Sequence, residues 1–568
     1  MTFVCALFDS VGKWGLAWTE AIRCDPGGQK PHATKRRGTI VKVRHLAAAL
    51  LASAIAIPAS SALAATATNV SAQGNPLGDL ITGLMSLDLQ RAVTVPGIRQ
   101  HLNALQSIAN ANDGTRAAGT PGNVATVRYI QQRLQRTGYR VTVQNFDIPF
   151  YKELSPGTFA ETAPTPKTYV DLTDFTTMPF SGSGDVTGRL VPTNDIEIPP
   201  APAPHSSSGC EAADFPAATA GAIALVQRGT CDFTVKAANA KAAGAVAVVI
   251  FNEGNPGRTD LFPSAAMDAP ITIPVLKATF QVGADLYAQT QAGPVTVHVT
   301  TDTLSEVRPT SNVVAETYFG RPDSVVVVGA HNDSVPAGPG INDDGSGTAT
   351  DLEVAEQLGR RQLLLRNKVR FLFFGAEELG LLGSYHYVET LSDAERAKIK
   401  VMLDFDMLAT PNYVRFVYDG DGSTFPDAVG PNGSGVVENV FLAFFAKRNL
   451  ATSPTAFDGR SDYVAFTDAG IPAGGIFAGA EGIKTAAEAR IYGGTAGQPY
   501  DACYHQACDT IANINNTVLD QFSDAVANSV VVFAQRSQPV VDTAGLVASA
   551  AKRAATRGAL YKGPLLIR

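Results

Sequence analysis

Residues 325–344 read VVVVGAHNDSVPAGPGINDD. Four consecutive valines end at Gly329, and the polar groups His331 and Asp333 follow at once. An all-valine run reads as a strand buried on both faces, as in a parallel sheet. Sites in such sheets lie in the crevice at the carboxyl ends of the strands. Asp343 and Asp344 close a loop rich in Gly and Pro, and Gly345-Ser346-Gly347 then opens a helical pattern. Imidazole and carboxylates gathered at such a place suit a divalent metal.

Working outward, strands and helices alternate. Downstream come a helix over 347–360, the strand VRFLFFGAEE at 369–378 and a helix around 381–391. The strand VMLDFDM, a strand near Tyr413, a helix over 436–448, a strand in IPAGGIFAG and a helix over 516–536 complete the series. Upstream, the strand SNVVAE starts at Ser311, and helical spacing marks 98–108 and 124–134, with a strand at 139–146. The expected fold class is therefore α/β, with a mixed, mostly parallel central sheet flanked by helices. Residues 152–204, rich in Pro, Thr and Ser and including PPAPAP at 199–204, read as loop or linker. A separate α/β pattern follows: a strand at 222–229, a helix, a strand at 246–252, and strand-like runs near Ile273 and Val295.

The chain of 568 residues, 45% hydrophobic and 17% charged, can form several cores. Net charge is −7, and the first 64 residues carry eight Lys/Arg against three Asp/Glu, so the rest is more acidic still. An acidic body argues against a nucleic-acid partner.

Lys35, Arg36, Arg37, Lys42 and Arg44 precede an apolar run from Leu46 to Ile57 and then Ala62-Leu63-Ala64. That is the layout of an export signal cleaved after Ala64. The run falls short of the roughly 20 residues of a spanning helix, so the mature chain is expected to be secreted without a membrane span. Residues 1–40 lie far upstream of such a signal, which points to a translation start near Val41. Beyond the signal, Cys210, Cys231, Cys503 and Cys508 form two locally spaced pairs. In an exported protein these read as disulfides, 210 with 231 and 503 with 508, rather than as thiolate metal ligands.

Four segments supply metal-type side chains: His331 with Asp343, Glu378 after FLFFGA, Asp406 in DFDM, and His505 in CYHQACDT. A lone His is most often a hydrogen-bonded core residue, and a lone carboxylate at a strand end often caps a helix. The signal is the joint pattern: two His and three carboxylates suit two divalent ions sharing one carboxylate.

With these motifs in hand, the chain from about Gly97 to Arg536 resembles the M28 family of zinc aminopeptidases. HND at 331–333, INDDGSG at 341–347, GAEELGLLGS at 375–384, DFDM at 404–407 and the late Tyr504-His505 follow that family's order. GRSD at 459–462 and CYHQACD at 503–509 bring it closest to secreted bacterial members. The interrupting segment resembles a protease-associated (PA) domain, through VQRGTCDF at 226–233 and AAGAVAVVIFN at 242–252. The domain plan expected is upstream extension and signal 1–64, a loosely held lead-in 65–95, peptidase segments 96–165 and 306–540 around a PA domain at 166–305, and a basic tail 541–568.

The resemblance implies two Zn2+ ions. His331 and Asp406 would hold one, Glu378 and His505 the other, with Asp343 bridging and joined to Asp344 by a cis peptide. It implies Asp333 behind His331, Glu377 as general base, Tyr504 as donor to the oxyanion, and Arg460 near the substrate's amino terminus. Adjacent residues on an extended chain point apart, so Glu378 could face metal while Glu377 faces water. The sequence departs from the family at Asp404, usually Asn, which could compete for metal but is expected here as a hydrogen-bonding residue behind the ligands. It departs also at Asn332, where Leu is common, and at Tyr463, where His is found. The implied activity is removal of an N-terminal residue, apolar such as Leu, from peptides or proteins with free N-termini. A PA-bearing carboxypeptidase or dipeptidase is the alternative, and a non-catalytic peptide-binding protein on the same fold a remoter one. Acids facing an ammonium, or bases facing a carboxylate, would separate the first two.

Overall fold

The structure, a computed structural model, describes residues 76–262 and 265–542. The expected export signal, the start of the lead-in, and the tail from 543 lie outside the described residues. Three helices come first: α1 (Pro76–Ala92), α2 (Val95–Asn110) and α3 (Pro121–Gln135). Thr94 and Thr120 start α2 and α3 by accepting from the amides of Gly97 and Asn123, each with Pro in the first turn. The lead-in thus needs correction, because residues 76–92 form a helix with Leu89 fully buried. Ser86 Oγ donates to Asn528 at 2.9 Å and so ties α1 to the helix over Asn516–Gln535.

The next elements are β1 (Tyr139–Ala163), β2 (Lys167–Thr168), β3 (Phe175–Thr177), β4 (Gly184–Pro192), β5 (Ile223–Gln227), α4 (Phe233–Ala242), β6 (Ala247–Phe251), β7 (Val275–Ala278), α5 (Phe280–Ala292) and β8 (Thr296–Thr317). After them come β9 (Arg321–His331), α6 (Gly345–Gly359), β10 (Asn367–Phe374), α7 (Leu382–Thr390), α8 (Asp393–Arg396), β11 (Ile399–Asp404), β12 (Phe416–Tyr418), α9 (Ser434–Ala446), β13 (Ser453–Thr455), α10 (Tyr463–Asp468), β14 (Ala473–Phe477), α11 (Ala486–Tyr492) and α12 (Asn516–Gln535).

The strands form one mixed sheet in the order β13-β12-β14-β11-β9-β10-β8-β4-β5-β6-β7-β3. Strands β14, β11, β9 and β10 run parallel, as do β4 to β7. The two parallel blocks are stitched by β8. One of its edges is covered by β1, from Tyr139 opposite Thr317 to Ala163 opposite Thr296. Its other edge takes β10 at residues 313–316 and β4 at residues 296–301.

Two expectations therefore change. The stretch read as linker from 152 is strand as far as Ala163, because its residues, Thr158 and Phe159 among them, pair with β8 and Pro156 is accommodated at a register shift between Ser155 and Thr158. The runs near Val295 and Ser311, read as separate strands, are both β8, so the expected boundary at 305/306 falls inside one strand.

The valine strand is buried on both faces. Val326 and Val328 enter a core with Leu102 of α2, Leu352 of α6 and Phe522 of α12. Val325 and Val327 enter the opposite core with Tyr387 of α7 and Phe466 of α10. Each fully buried Val contributes roughly 1.5–3 kcal/mol, so this strand resists any register slip. The smaller parallel block repeats the scheme: Ile223 and Leu225 face α5, while Ala224 and Val226 face α4. Both expected disulfides, Cys210–Cys231 and Cys503–Cys508, are formed.

Candidate active site

Because β9, β10 and β11 are parallel, their carboxyl ends deliver side chains to one edge of the sheet. Strand β9 ends on His331, β10 ends three residues before Glu377, and β11 ends two residues before Asp406. Helix α6 starts just behind them, with Asp344 as its cap. The Asp344 carboxylate accepts from the amides of Gly347 (2.9 Å), Met407 (3.0 Å) and His331 (3.2 Å), joining three site-bearing segments. A Cβ on Gly347 would lie 1.8 Å from the Phe405 carbonyl, which is why the helix opens on Gly-Ser-Gly. The peptide between Asp343 and Asp344 is cis.

The five expected ligands converge. His331 Nε2 lies 3.2 Å from Asp343 Oδ1 and 3.8 Å from Asp406 Oδ1. His505 Nε2 lies 3.1 Å from Asp343 Oδ2 and 3.0 Å from Glu378 Oε2. The two oxygens of Asp343 thus face different imidazoles, and two triads of ligand atoms share this one carboxylate. Asp333 stands behind His331, its Oδ1 3.6 Å from Nδ1. Glu377 Oε2 lies 3.9 Å from His331 Nε2, at the edge of the first triad.

Glu377 and Glu378 are not on extended chain, contrary to the sequence reading. β10 stops at Phe374, and Ala376 takes a left-handed φ of 59°. The two glutamates open a turn, with the amides of Gly380 (2.8 Å) and Leu381 (2.7 Å) donating to the Glu377 carbonyl. Met407, next to Asp406, and His505 itself also have left-handed φ, 56° each. Such backbone costs on the order of 1–3 kcal/mol per non-glycine residue and persists where the surroundings fix it.

The charges are strongly coupled. Burial opposes a charged His331, yet Glu377, Asp333, Asp343 and Asp406 hold its pKa well above the ordinary imidazole range. Burial likewise opposes charge on His505, but Glu378 and Asp343 bring it up to about 10. Burial and the Asp343 charge raise Glu378 to about 7; burial, with Asp343 adding to it, raises Asp406 to about 6. Burial, joined by Glu378, Asp462 and Asp406, pushes Glu377 well above the usual carboxylate range. Asp343 is held low by its two imidazoles in spite of burial. This is an excess of buried negative charge seeking a cation. Glu378 Oε1 and Asp406 Oδ1 are buried and accept no hydrogen bond, so the donor set fits divalent zinc in number and chemistry.

Tyr504 stacks on His505, ring centroids 3.8 Å apart. Its hydroxyl is held by Arg460 Nη2 at 3.1 Å, and Arg460 is in turn forked onto Glu481 at 2.8 and 3.0 Å. Asp404 accepts from the Tyr463 amide at 3.3 Å, and burial together with Asp406 raises it to about 7.

Several supporting residues were not singled out in the sequence. Asp509 accepts from the amides of Asn342 (2.9 Å) and Asp343 (3.0 Å), Ser461 Oγ donates to Asp406 Oδ2 at 2.8 Å, and Glu481 aims Arg460. Asn332, noted only as a departure, donates to the Phe373 carbonyl at 2.9 Å and accepts from Asn123 at 2.7 Å. Asp509 and Ser461 stand inside the CYHQACD and GRSD runs, so those motifs carried the signal.

Two other groupings of metal-type side chains occur among the described residues. In His101–Glu353–Glu356, Arg133 takes both Glu356 oxygens (2.5 and 2.6 Å) and Tyr129 takes His101 Nδ1 (2.7 Å). In Asp419–Asp421–Glu438, backbone amides of Thr424 and Phe425 donate to Asp419, that of Ser423 to Asp421 and that of Gly420 to Glu438. Both groupings are spent on structure.

The Cys503–Cys508 bridge closes the turn that carries Tyr504 and His505. Replacing both cysteines by Ser is expected to lower the unfolding free energy by about 2 kcal/mol. It is expected to lower kcat roughly tenfold, because the two side chains lose a fixed frame. Urea unfolding and steady-state kinetics check this, and an unchanged kcat would show that the Asp501 bond to the Cys503 amide (2.8 Å) suffices to hold the turn.

Comparison with known proteins finds relatives over most of the chain. The peptidase family M28 model matches residues 312–530, and the PA domain model matches residues 186–286. An aminopeptidase of Pseudomonas aeruginosa is 46% identical over 473 residues, covering 83% of this chain and 86% of its own. A probable leucine aminopeptidase 2 of Aspergillus fumigatus is 40% identical, covering 74% of this chain and 79% of its own. Among solved structures, a zinc aminopeptidase from Bacillus subtilis superposes with a TM-score of 0.51 at 26% identity, over 79% of this chain and 98% of that one. The chain belongs to peptidase family M28, among its zinc-dependent aminopeptidases, and carries an inserted PA domain.

Proposed function

We infer that the chain is a secreted di-zinc aminopeptidase that hydrolyses the N-terminal peptide bond of peptides, with apolar residues such as Leu preferred. The observation that carries this reading is the split of Asp343, whose two oxygens face His331 and His505 separately. His331 and Asp406 would hold one ion and Glu378 and His505 the other. Bound there, the ions would polarise the scissile carbonyl and lower the pKa of a water.

Every other part falls to the chain. Glu377, buried at the edge of the first triad, accepts the water's proton and later delivers it to the leaving amine. Tyr504 keeps its proton at neutral pH, since burial and the Asp343 and Glu378 charges raise its pKa above the usual phenol range. It therefore donates to the oxyanion as charge develops. The carboxylate-rich site favours a substrate ammonium, and Arg460 is already paired with Glu481. That favours a free amino terminus over a free carboxylate. Leucine preference rests on the leucine aminopeptidase relatives, and export on the basic, apolar and Ala-Leu-Ala series before Ala65.

The test compares leucine anilide, N-acetyl-leucine anilide and an N-blocked dipeptide, using protein recovered from the medium, whose first residue is expected to be Ala65. Turnover of the free-amine anilide alone, abolished by chelator and restored by zinc, is the expected result. Turnover confined to the N-blocked dipeptide would make the protein a carboxypeptidase. No turnover by zinc-replete protein would make it a binding protein.

A further inference from the structure

The loop between His331 and Asp343 is moulded around one side chain from outside it. Arg116, in the turn segment between α2 and α3, is fully buried. Its Nη1 donates to the carbonyl of Asn332 (2.6 Å), Nε to that of Pro339 (2.8 Å) and Nη2 to that of Gly340 (2.5 Å). These acceptors lie at the two ends of the loop, one residue after His331 and four and three before Asp343. The Arg116 amide also donates to Ser334 Oγ at 3.0 Å, and Thr115 Oγ1 to the Val335 carbonyl at 2.9 Å. Gly340 takes a φ of 58°, and a Cβ there would lie 2.3 Å from the Asp343 carbonyl and 2.5 Å from Ser334 Cβ. The loop is thus folded tightly on itself with the guanidinium as its filling.

All of the guanidinium's hydrogen bonds just named go to main-chain carbonyls, none to a carboxylate. The charges of Asp333, Asp509, Asp344 and Asp343 nevertheless oppose the lowering of its pKa by burial. A buried cation is costly unless its donors are satisfied and its charge is needed. Here the donors are satisfied by loop geometry, and the charge is set beside acids that hold or back the candidate ligands. A planar fork fits three convergent carbonyls in a way an ammonium does not.

We propose that Arg116 is a positioning residue of the metal centre, which sets the spacing of His331 and Asp343 through the backbone of their shared loop and supplies a fixed counter-charge to the acids around it. The proposal rests on the reading that the two triads hold zinc, and its test separates the two.

Zinc affinity and stoichiometry of the full-length wild type, Arg116→Lys and Arg116→Met are measured by competition with a chromophoric chelator, on samples first shown to be folded by circular dichroism. The wild type is expected to bind two zinc ions; fewer would overturn the di-zinc reading itself. Given two, Arg116→Met is expected to bind zinc at least about tenfold more weakly, with Arg116→Lys in between, since it restores charge without the fork. At saturating zinc, the loss in turnover is expected in kcat with KM little changed, because Arg116 does not touch substrate. Folded variants with wild-type zinc affinity would overturn the proposal, whatever their melting temperature. If Arg116→Met does not fold, Arg116→Lys alone decides: wild-type affinity in that variant, at equal stoichiometry, overturns the role of the fork.

Discussion

Glu377→Gln is expected to lower kcat/KM about 1,000-fold, equivalent to about 4 kcal/mol of transition-state stabilisation. The substitution preserves size and removes the one group placed to accept a proton at the edge of the first triad, 3.9 Å from His331 Nε2. Glu377 is not among the five converging ligands, so zinc stoichiometry should stay at two and KM should change little. The loss then belongs to the proton transfer and not to metal binding. Elemental analysis beside steady-state kinetics on leucine anilide makes the distinction. Retention of more than a tenth of wild-type kcat/KM at full zinc content would remove Glu377 from the role of base. Loss of zinc in the variant would recast it as a ligand.

Asp343→Ala should be more severe, because one side chain serves both triads. Its oxygens lie 3.2 Å from His331 Nε2 and 3.1 Å from His505 Nε2. Without it, His331 with Asp406 and His505 with Glu378 remain as two pairs, each a ligand short. Zinc content is expected to fall from two ions to one or none, and activity to drop by at least about 10,000-fold. His505→Ala is the control: it breaks the second triad alone and should leave one ion bound. The backbone of Asp343 stays anchored through its amide to Asp509, so the loop should survive the substitution. A variant with two zinc ions and intact turnover would show that Asp343 bridges nothing.

How much of this was legible beforehand depends on the distance over which each signal acts. The valine run, the Gly-Ser-Gly helix start and the alternation of strands and helices are local signals, and they placed the metal-type side chains at the carboxyl ends of parallel strands. The spacing of His331, Asp343, Glu378, Asp406 and His505 was legible because each stands in a short motif of its own. The strand from 152 to 163 was not, since Pro, Thr and Ser are compatible with loop until a partner is present. Its partner, β8, lies some 140 residues further on and supplies the hydrogen bonds that make it a strand. The same holds for residues 76–92, which read as lead-in but form a helix against α12.

By itself the sequence determined which chemistry is proposed for the chain: the candidate ligands, the proposed base beside them and the cysteines that brace them are written in short runs whose meaning does not depend on distant residues. Only the tertiary structure decided how those groups are aimed. The two faces of Asp343, the Glu481–Arg460–Tyr504 chain of hydrogen bonds and the Arg116 fork all join residues from different segments of the chain. Their geometry depends on which segments the fold brings side by side, which no local pattern encodes.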